Sequence, residues 1–275
     1  MAAPDRTGRA VGPDPAALRD LARAVAEDAA VALLGTLPRD DLVIETKTTL
    51  TDMVTETDRA VERRLVGALL DARPDDGVLG EEGADRPGTS GVRWLLDPID
   101  GTTNFVYGLP GFNISVAAEV DGEVVAGVVV DPLHGDTFSA ARGAGARRNE
   151  RPIRANPPGD LAAALVATGF SYDAARRRRQ AEVLTRVLPA VRDIRRIGAA
   201  ALDLCWVACG RVDAYYERGL QPWDWAAGTL IAEEAGATVG DLDGGPTSEA
   251  FTLAAPAGLF EPLRLLLRDA GAADA

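Results

Sequence analysis

Asp97 and Asp100 bracket Pro98-Ile99 at the end of the apolar run Trp94-Leu95-Leu96, and Gly101-Thr102-Thr103 follows at once. Two carboxylates sharing one space repel, and one of them would hold its proton. A divalent cation removes that conflict. Oxygen ligands without thiolate or imidazole favour magnesium or manganese over zinc. The proline restricts the backbone and the glycine permits a sharp turn, so the spacing predicts a strand that breaks at Pro98 and a helix that starts after Gly101. Successive N–H groups at such a helix start suit a phosphate. Read alone, Asp100 would serve equally well as a helix cap, with Thr102 supporting the turn.

Further acids stand at similar places. Glu81 and Glu82 follow Gly80 at the end of a short apolar strand, where solvated acids would also be comfortable. Asp224 sits between Trp223 and Trp225 at a helix start, with capping as its simpler role. Asp52 and Asp58 flank the start of another helix in TDMVTETD, where capping again competes with chemistry. The chain has one histidine, His134, which excludes mechanisms needing several. Cys205 and Cys209, four apart in an apolar helix, read as two reduced small side chains rather than zinc ligands.

These residues must be carried by a mixed framework. Residues 1–13 read as a flexible tail, and residues 14–275 as a single catalytic domain. Helical periodicity runs from Pro15 to Gly35, again within TDMVTETDRAVERRLVGALLDARP, which begins with a Thr/Asp-rich turn and ends before Pro74, and through YDAARRRRQAEVLTRVLPAV. FNISVAAEVDG and EVVAGVVVDP predict a hairpin turning at Asp121-Gly122. After it come LAAALVATGF, VDAYYE and FTLAAP as strands, interleaved with helices over AALDLCWVACG, WDWAAGTLIAEEAG and AGLFEPLRLLLRDAG. Strands mixed with helices throughout indicate a layered α/β fold. The run Arg176–Arg179 spreads around a helix and reads as solvated, with partner binding as the alternative.

Composition narrows the function. The chain of 275 residues carries 29 Lys and Arg against 42 Asp and Glu, a net charge of −13, which argues against nucleic acid as a partner. No apolar run is long enough to span a membrane. The first residues mix acids and prolines and do not read as a secretory signal, so a soluble cytoplasmic protein is expected.

WLLDPIDGTTNF and PWDWAAGTLIAEEAGATV, with LGEEG and DMVTETD in the same order, closely resemble the inositol monophosphatase family of magnesium-dependent, lithium-sensitive phosphatases. The resemblance covers the chain beyond the tail. It implies the αβαβα sandwich of the inositol monophosphatase and fructose-1,6-bisphosphatase type, and a homodimer. It implies two to three Mg2+ ions, with Mn2+ as a substitute. Glu81, Asp97 and the Ile99 carbonyl would hold the first ion, and Asp97, Asp100 and Asp224 the second. The implied reaction is hydrolysis by a metal-activated water, positioned by Glu81 and Thr102, with Asp58 orienting Thr102 or serving only at the helix start. Asp100, Gly101, Thr102 and Thr103 would hold the phosphate. Gly198, Ala200 and Glu217 would line the alcohol pocket, and Lys47 would lie over the cleft or in solvent.

Inositol 1-phosphate is the substrate the resemblance puts first. Fructose 1,6-bisphosphate, histidinol phosphate and 3′-phosphoadenosine nucleotides are alternatives, as is a regulatory binding protein that keeps the fold. Gln221, where animal members have His, and the loop TGFSYD bear on that choice. An amino alcohol would favour extra acids in the pocket, and a second phosphate an added basic group.

Overall fold

The computed structural model describes residues 12–37, 44–46, 53–157 and 159–275. Lys47, Asp52 and residues 1–11 lie outside the described residues. Helix α1 (Pro15–Leu34) is capped by Asp14, whose side chain accepts from the Ala16 N–H, with Pro15 in the first turn. It buries Leu18, Ala22, Val25, Ala26, Ala29 and Leu33, a single stripe at helical spacing. Short strands β1 (Ile44–Thr46) and β2 (Met53–Thr55) pair antiparallel and lead into α2 (Glu56–Ala72).

An eight-stranded sheet follows. It contains β3 (Gly77–Gly80), β4 (Asp85–Arg86), β5 (Val92–Asp100), β6 (Asn113–Val120), β7 (Glu123–Asp131), β8 (Asp136–Ala141), β9 (Ala146–Arg148) and β10 (Arg151–Pro152), in the order β10-β9-β8-β7-β6-β5-β3-β4. The β6–β7 hairpin turns at Asp121 (φ 52°) and Gly122 (φ 84°), the left-handed pair that a two-residue turn requires. Short α3 (Thr102–Val106) leaves the end of β5.

A five-stranded sheet is built from β11 (Leu165–Thr168), β12 (Asp193–Arg195), β13 (Ala214–Glu217), β14 (Ala237–Gly240) and β15 (Thr252–Pro256), in the order β12-β11-β13-β15-β14. Its helices are α4 (Ala174–Val187), α5 (Ala200–Ala208), α6 (Pro222–Glu234) and α7 (Ala257–Asp269).

Strand alternation explains the layers. On β5, Trp94 and Leu96 face α1 and α2, while Leu95 faces α5 and α6. Along β7, Val128 and Val130 take the first face and Val129 the second. On the smaller sheet, Leu253 and Ala255 pack with α4 and α7, while Ala254 packs with α5. The result is α1/α2, large sheet, α5/α6, small sheet, α4/α7. This is the expected αβαβα sandwich. Helix α6 lies in the middle layer and is apolar nearly all round, burying Ala226 through Ala232. Glycines set its close approach. A Cβ on Gly127 of β7 would stand 2.9 Å from the Ala227 backbone, and one on Gly228 would stand 2.7 Å from Leu204.

Three local expectations are corrected. Strand β5 does not break at Pro98 but continues to Asp100, because a register shift between Asp97 and Asp100 accommodates the imino acid. Strands β12 and β14 were not anticipated, being three and four residues long with little apolar alternation. Helix α4 stops at Val187, and Leu188–Ala190 tighten into a 3-10 turn around Pro189. The cysteines are free thiols, Cys205 buried and Cys209 partly exposed at the end of α5.

Candidate active site

The register shift in β5 is what brings two carboxylates together. In a regular strand, residues three apart point to opposite faces. Between the pairs Asp97↔Ser115 and Asp100↔Asn113, β5 spends three steps where β6 spends two. The extra residue of the bulge returns Asp100 to the side of Asp97. Both carboxylates are buried, and both line one cleft of about 480 Å3 with Glu81, Ile99, Thr102 and Asp224.

Each acid is held by its own local device. Asp100 does not cap α3; Gly101 occupies that cap. Its carboxylate instead accepts from the Ala200 and Ala201 N–H groups at the start of α5 (3.1 and 2.8 Å) and from Asn113 Nδ2 (2.8 Å). Asp224 is both cap and cleft residue, accepting from the Gln221 N–H at 2.7 Å while lining the site. Asp97 Oδ1 accepts from the Ile99 N–H at 3.1 Å. Glu81 stands at the end of β3, where its N–H donates to Leu96 O at 3.1 Å.

Asp58 also has two roles. It closes a capping box with Thr55 at the start of α2, and its Oδ1 accepts from Thr102 Oγ1 at 3.1 Å. The same Thr102 hydroxyl lies 3.0 Å from Ile99 O, so its one proton is shared between two acceptors and its lone pairs face the cleft. Asp58 is fully buried behind it and does not reach the cleft wall. Gly101 turns the chain with φ 89°.

At the far end Glu217 receives the Tyr215 hydroxyl on Oε2 at 2.7 Å. Its carboxylate lies flat on Gly169, where any side chain would collide with it. Gly198 and Ala200 line the same cleft, with the Ala200 N–H already committed to Asp100. Thr103 does not line it. Thr103 stands one residue further into the α3 turn, and its carbonyl accepts from the Tyr107 N–H. Sequence reasoning missed Asn113, Gly169, Tyr215 and Arg196, since none belongs to an acidic motif.

The electrostatics are those of crowded, desolvated acids. Burial first, then the charges of Glu81, Asp100 and Asp224, raises Asp97 well above the carboxylate range. Asp224 is raised likewise, by burial and then by Glu81 and Asp100. Burial lifts Asp100 to about 6 against its three hydrogen bonds, and lifts Glu217 to about 7 against Tyr215 and Arg196. Among the described residues, no three acidic, histidine or cysteine side chains already enclose a point that could hold an ion. The set is therefore an open, self-repelling group of oxygen donors. Its chemistry fits one or more hard divalent cations, which would offset the repulsion that otherwise forces protonation.

One buried acid stands apart. Asp203 on α5 is 1% exposed, and neither carboxylate oxygen has a hydrogen-bond partner among the described residues. Burial, then Glu217 and Asp100, push it well above its usual range, with Arg196 opposing. Raised in the folded state, this group costs stability as pH climbs from its unfolded value of about 3.9 towards its folded one. Asp203→Asn is therefore expected to raise the melting temperature by roughly 3 °C or more at pH 8 and by less at pH 5. An equal shift at both values would contradict the buried neutral acid.

Comparison with known proteins gives a consistent result. A family model for the Inositol monophosphatase family matches residues 14–271. The inositol-1-monophosphatase SuhB of Mycobacterium tuberculosis is 47% identical over 244 residues, covering 82% of this chain and 84% of that protein. The Nus factor SuhB of Pasteurella multocida is 43% identical over 223 residues, covering 79% of this chain and 83% of its own length. The crystal structure of the extragenic suppressor protein suhB from Bartonella henselae superposes with a TM-score of 0.86 at 36% identity, over 92% of this chain and 98% of that one.

Proposed function

This chain belongs to the inositol monophosphatase family, and on that premise we propose that it is a magnesium-dependent phosphatase of small phosphate monoesters, with inositol 1-phosphate as its first substrate. The single observation that carries the reading is the cleft itself, where Glu81, Asp97, Asp100 and Asp224 converge beside the Gly101-Thr102 turn. Residues 14–275 act in this reading as one catalytic unit. Glu81, Asp97 and the Ile99 carbonyl would hold one ion, and Asp97, Asp100 and Asp224 another. Bound there, the ions would withdraw charge from the phosphate and from the developing alkoxide.

The remaining steps belong to side chains and backbone. The Gly101 and Thr102 N–H groups orient the phosphate oxygens. A water opposite the leaving alcohol attacks phosphorus in line as the phosphorus–alkoxide bond breaks; Glu81 and Thr102 Oγ1 position the water, Glu81 takes its proton, and solvent protonates the departing alkoxide. Asp58, fixed by Thr55, draws the Thr102 hydroxyl proton away from the water, so that Oγ1 offers a lone pair to it. Glu217 at the far end accepts from hydroxyls of the alcohol. A family-like homodimer and a role as a binding protein, suggested by relatives named Nus factor SuhB, are both compatible with this chemistry. The intact acidic set supports catalysis.

A panel of inositol 1-phosphate, fructose 1,6-bisphosphate, histidinol phosphate and a 3′-phosphoadenosine nucleotide, each with and without magnesium, tests the proposal. Magnesium-dependent phosphate release with inositol 1-phosphate among the best is expected. Negligible turnover of inositol 1-phosphate beside rapid turnover of another ester would overturn the substrate. No release from any ester would overturn the activity.

A further inference from the structure

One loop of the cleft wall is aromatic. Phe170 and Tyr172, between β11 and α4, line the same cleft as Asp97, Asp224 and Glu217. Tyr172 is 40% exposed, so a large part of its ring is open to whatever enters. The backbone on either side of it is tied down. The Ser171 N–H donates to Oε1 of the buried Gln180 at 2.9 Å. The Asp173 N–H donates to Ser171 Oγ at 3.1 Å, and the Asp173 carboxylate caps α4 by accepting from the Arg176 N–H at 2.8 Å. The residues flanking Tyr172 thus fix its place at the cleft wall.

The root of this loop touches the acid at the far end of the cleft. The Glu217 carboxylate lies against Gly169, where a Cβ would collide with it. Phe170 borders both the cleft and a small cavity behind it, and Glu217 lines both as well. The loop therefore brings its rings to the alcohol end. Two kinds of surface meet there, a carboxylate that accepts hydrogen bonds and an aromatic face that cannot. A cyclic polyol carries the matching pair, hydroxyls round its rim and C–H groups on its faces. The rim suits Glu217, and a face of C–H groups suits the flat side of a phenol ring. An open-chain alcohol has no fixed face and must give up rotamers to make the same contact.

We propose that Tyr172 is a specificity-determining residue, its ring packing on the C–H face of a cyclic leaving alcohol while Glu217 accepts from the rim hydroxyls. The inference rests on the phosphatase reading above and names the side chain of this protein that selects for a ring. It also gives the TGFSYD loop a task of its own: Gly169 makes room for Glu217, Ser171 and Asp173 anchor the backbone, and Tyr172 meets the substrate. The contact needs the ring of Tyr172 and not its hydroxyl, so phenylalanine should serve in its place and alanine should not.

The test measures kcat/KM for inositol 1-phosphate and for the open-chain glycerol 2-phosphate at saturating magnesium, in the parent, Tyr172→Phe and Tyr172→Ala. The parent is expected to favour the cyclic ester, and Tyr172→Phe to keep that ratio within about twofold. Tyr172→Ala is expected to lower kcat/KM for inositol 1-phosphate about tenfold, the scale of one apolar contact in a binding pocket, mainly through KM. Its turnover of glycerol 2-phosphate should stay within about twofold of the parent, which also shows that the variant is folded. Equal losses on both esters would make Tyr172 a mere support of the loop and overturn the inference. So would a parental ratio of unity or below, an unchanged ratio in Tyr172→Ala, or a loss in Tyr172→Phe as large as that in Tyr172→Ala. Absence of magnesium-dependent release from both esters in the parent would instead overturn the phosphatase reading.

Discussion

Asp97→Asn is expected to lower magnesium-dependent turnover by about 10³ or more while making the metal-free protein more heat-stable than its parent. Asp97 is 2% exposed and faces Glu81, Asp100 and Asp224. Without a cation its carboxylate is desolvated and repelled from three sides. An amide keeps the shape and removes the charge, so the folded state loses a cost. The same change deletes the donor proposed to serve both ion positions. Magnesium should therefore raise the melting temperature of the parent, as any ligand of the native state does, and leave that of the variant nearly unmoved. Melting curves with chelator and with excess magnesium, beside steady-state rates, separate the two effects. Near-parental turnover would remove Asp97 from the ion site. A destabilised metal-free variant would contradict the repulsion.

Gly101→Ala is expected to damage stability and rate together. Residue 101 sits at φ 89°, where a Cβ is strained. That Cβ would also stand 2.7 Å from the Gly111 carbonyl oxygen and 3.2 Å from Ala199 Cβ. Neither neighbour yields freely. Asn104 Nδ2 donates to Gly111 O at 2.7 Å and to Ile197 O at 2.9 Å, pinning both loops. Relief must shift the phosphate turn or the start of α5, which holds Asp100. Strain and overpacking of about 2–4 kcal/mol correspond to a fall of roughly 5–15 °C in melting temperature. A displacement of even about 1 Å at the turn would cost about a hundredfold in kcat/KM. Circular dichroism melts and kinetics at saturating magnesium check this. Unchanged values of both would show that the turn tolerates a side chain.

The acidic motifs were legible because each lies in one short stretch with a strand before it or a helix after it. Glu81, Asp97, Asp100, Thr102 and Asp224 meet in one cleft as their order suggested. What stayed hidden are relations between distant stretches. Asp100 depends on Asn113 and on α5 N–H groups a hundred residues away. The bulge that turns Asp100 inward has no marker except Pro98, and proline signals interruption without saying whether the strand resumes. Arg196 carries no motif, and only the proximity of its loop to the Gly101 turn brings it to the cleft. For Asp58 and Asp224, capping a helix does not exclude a second contact, whereas Asp100 caps nothing on α3. A carboxylate has two oxygens, and in Asp58 one serves the helix while the other accepts from Thr102 Oγ1.

The strand order of the smaller sheet bears on how the protein is made. β15, late in the chain, lies between β13 and β14 and bonds to both. Until Thr252 is added, β13 has β11 on one side and no partner for its other edge, although Glu217 and Asp224 have already been joined to the chain. An unpaired edge invites pairing with other chains. Messages cut or stalled in this window would yield polypeptides that contain every proposed catalytic residue yet tend to aggregate, so synthesis of the last strand, and not of the last active-site residue, would mark when the nascent chain becomes safe.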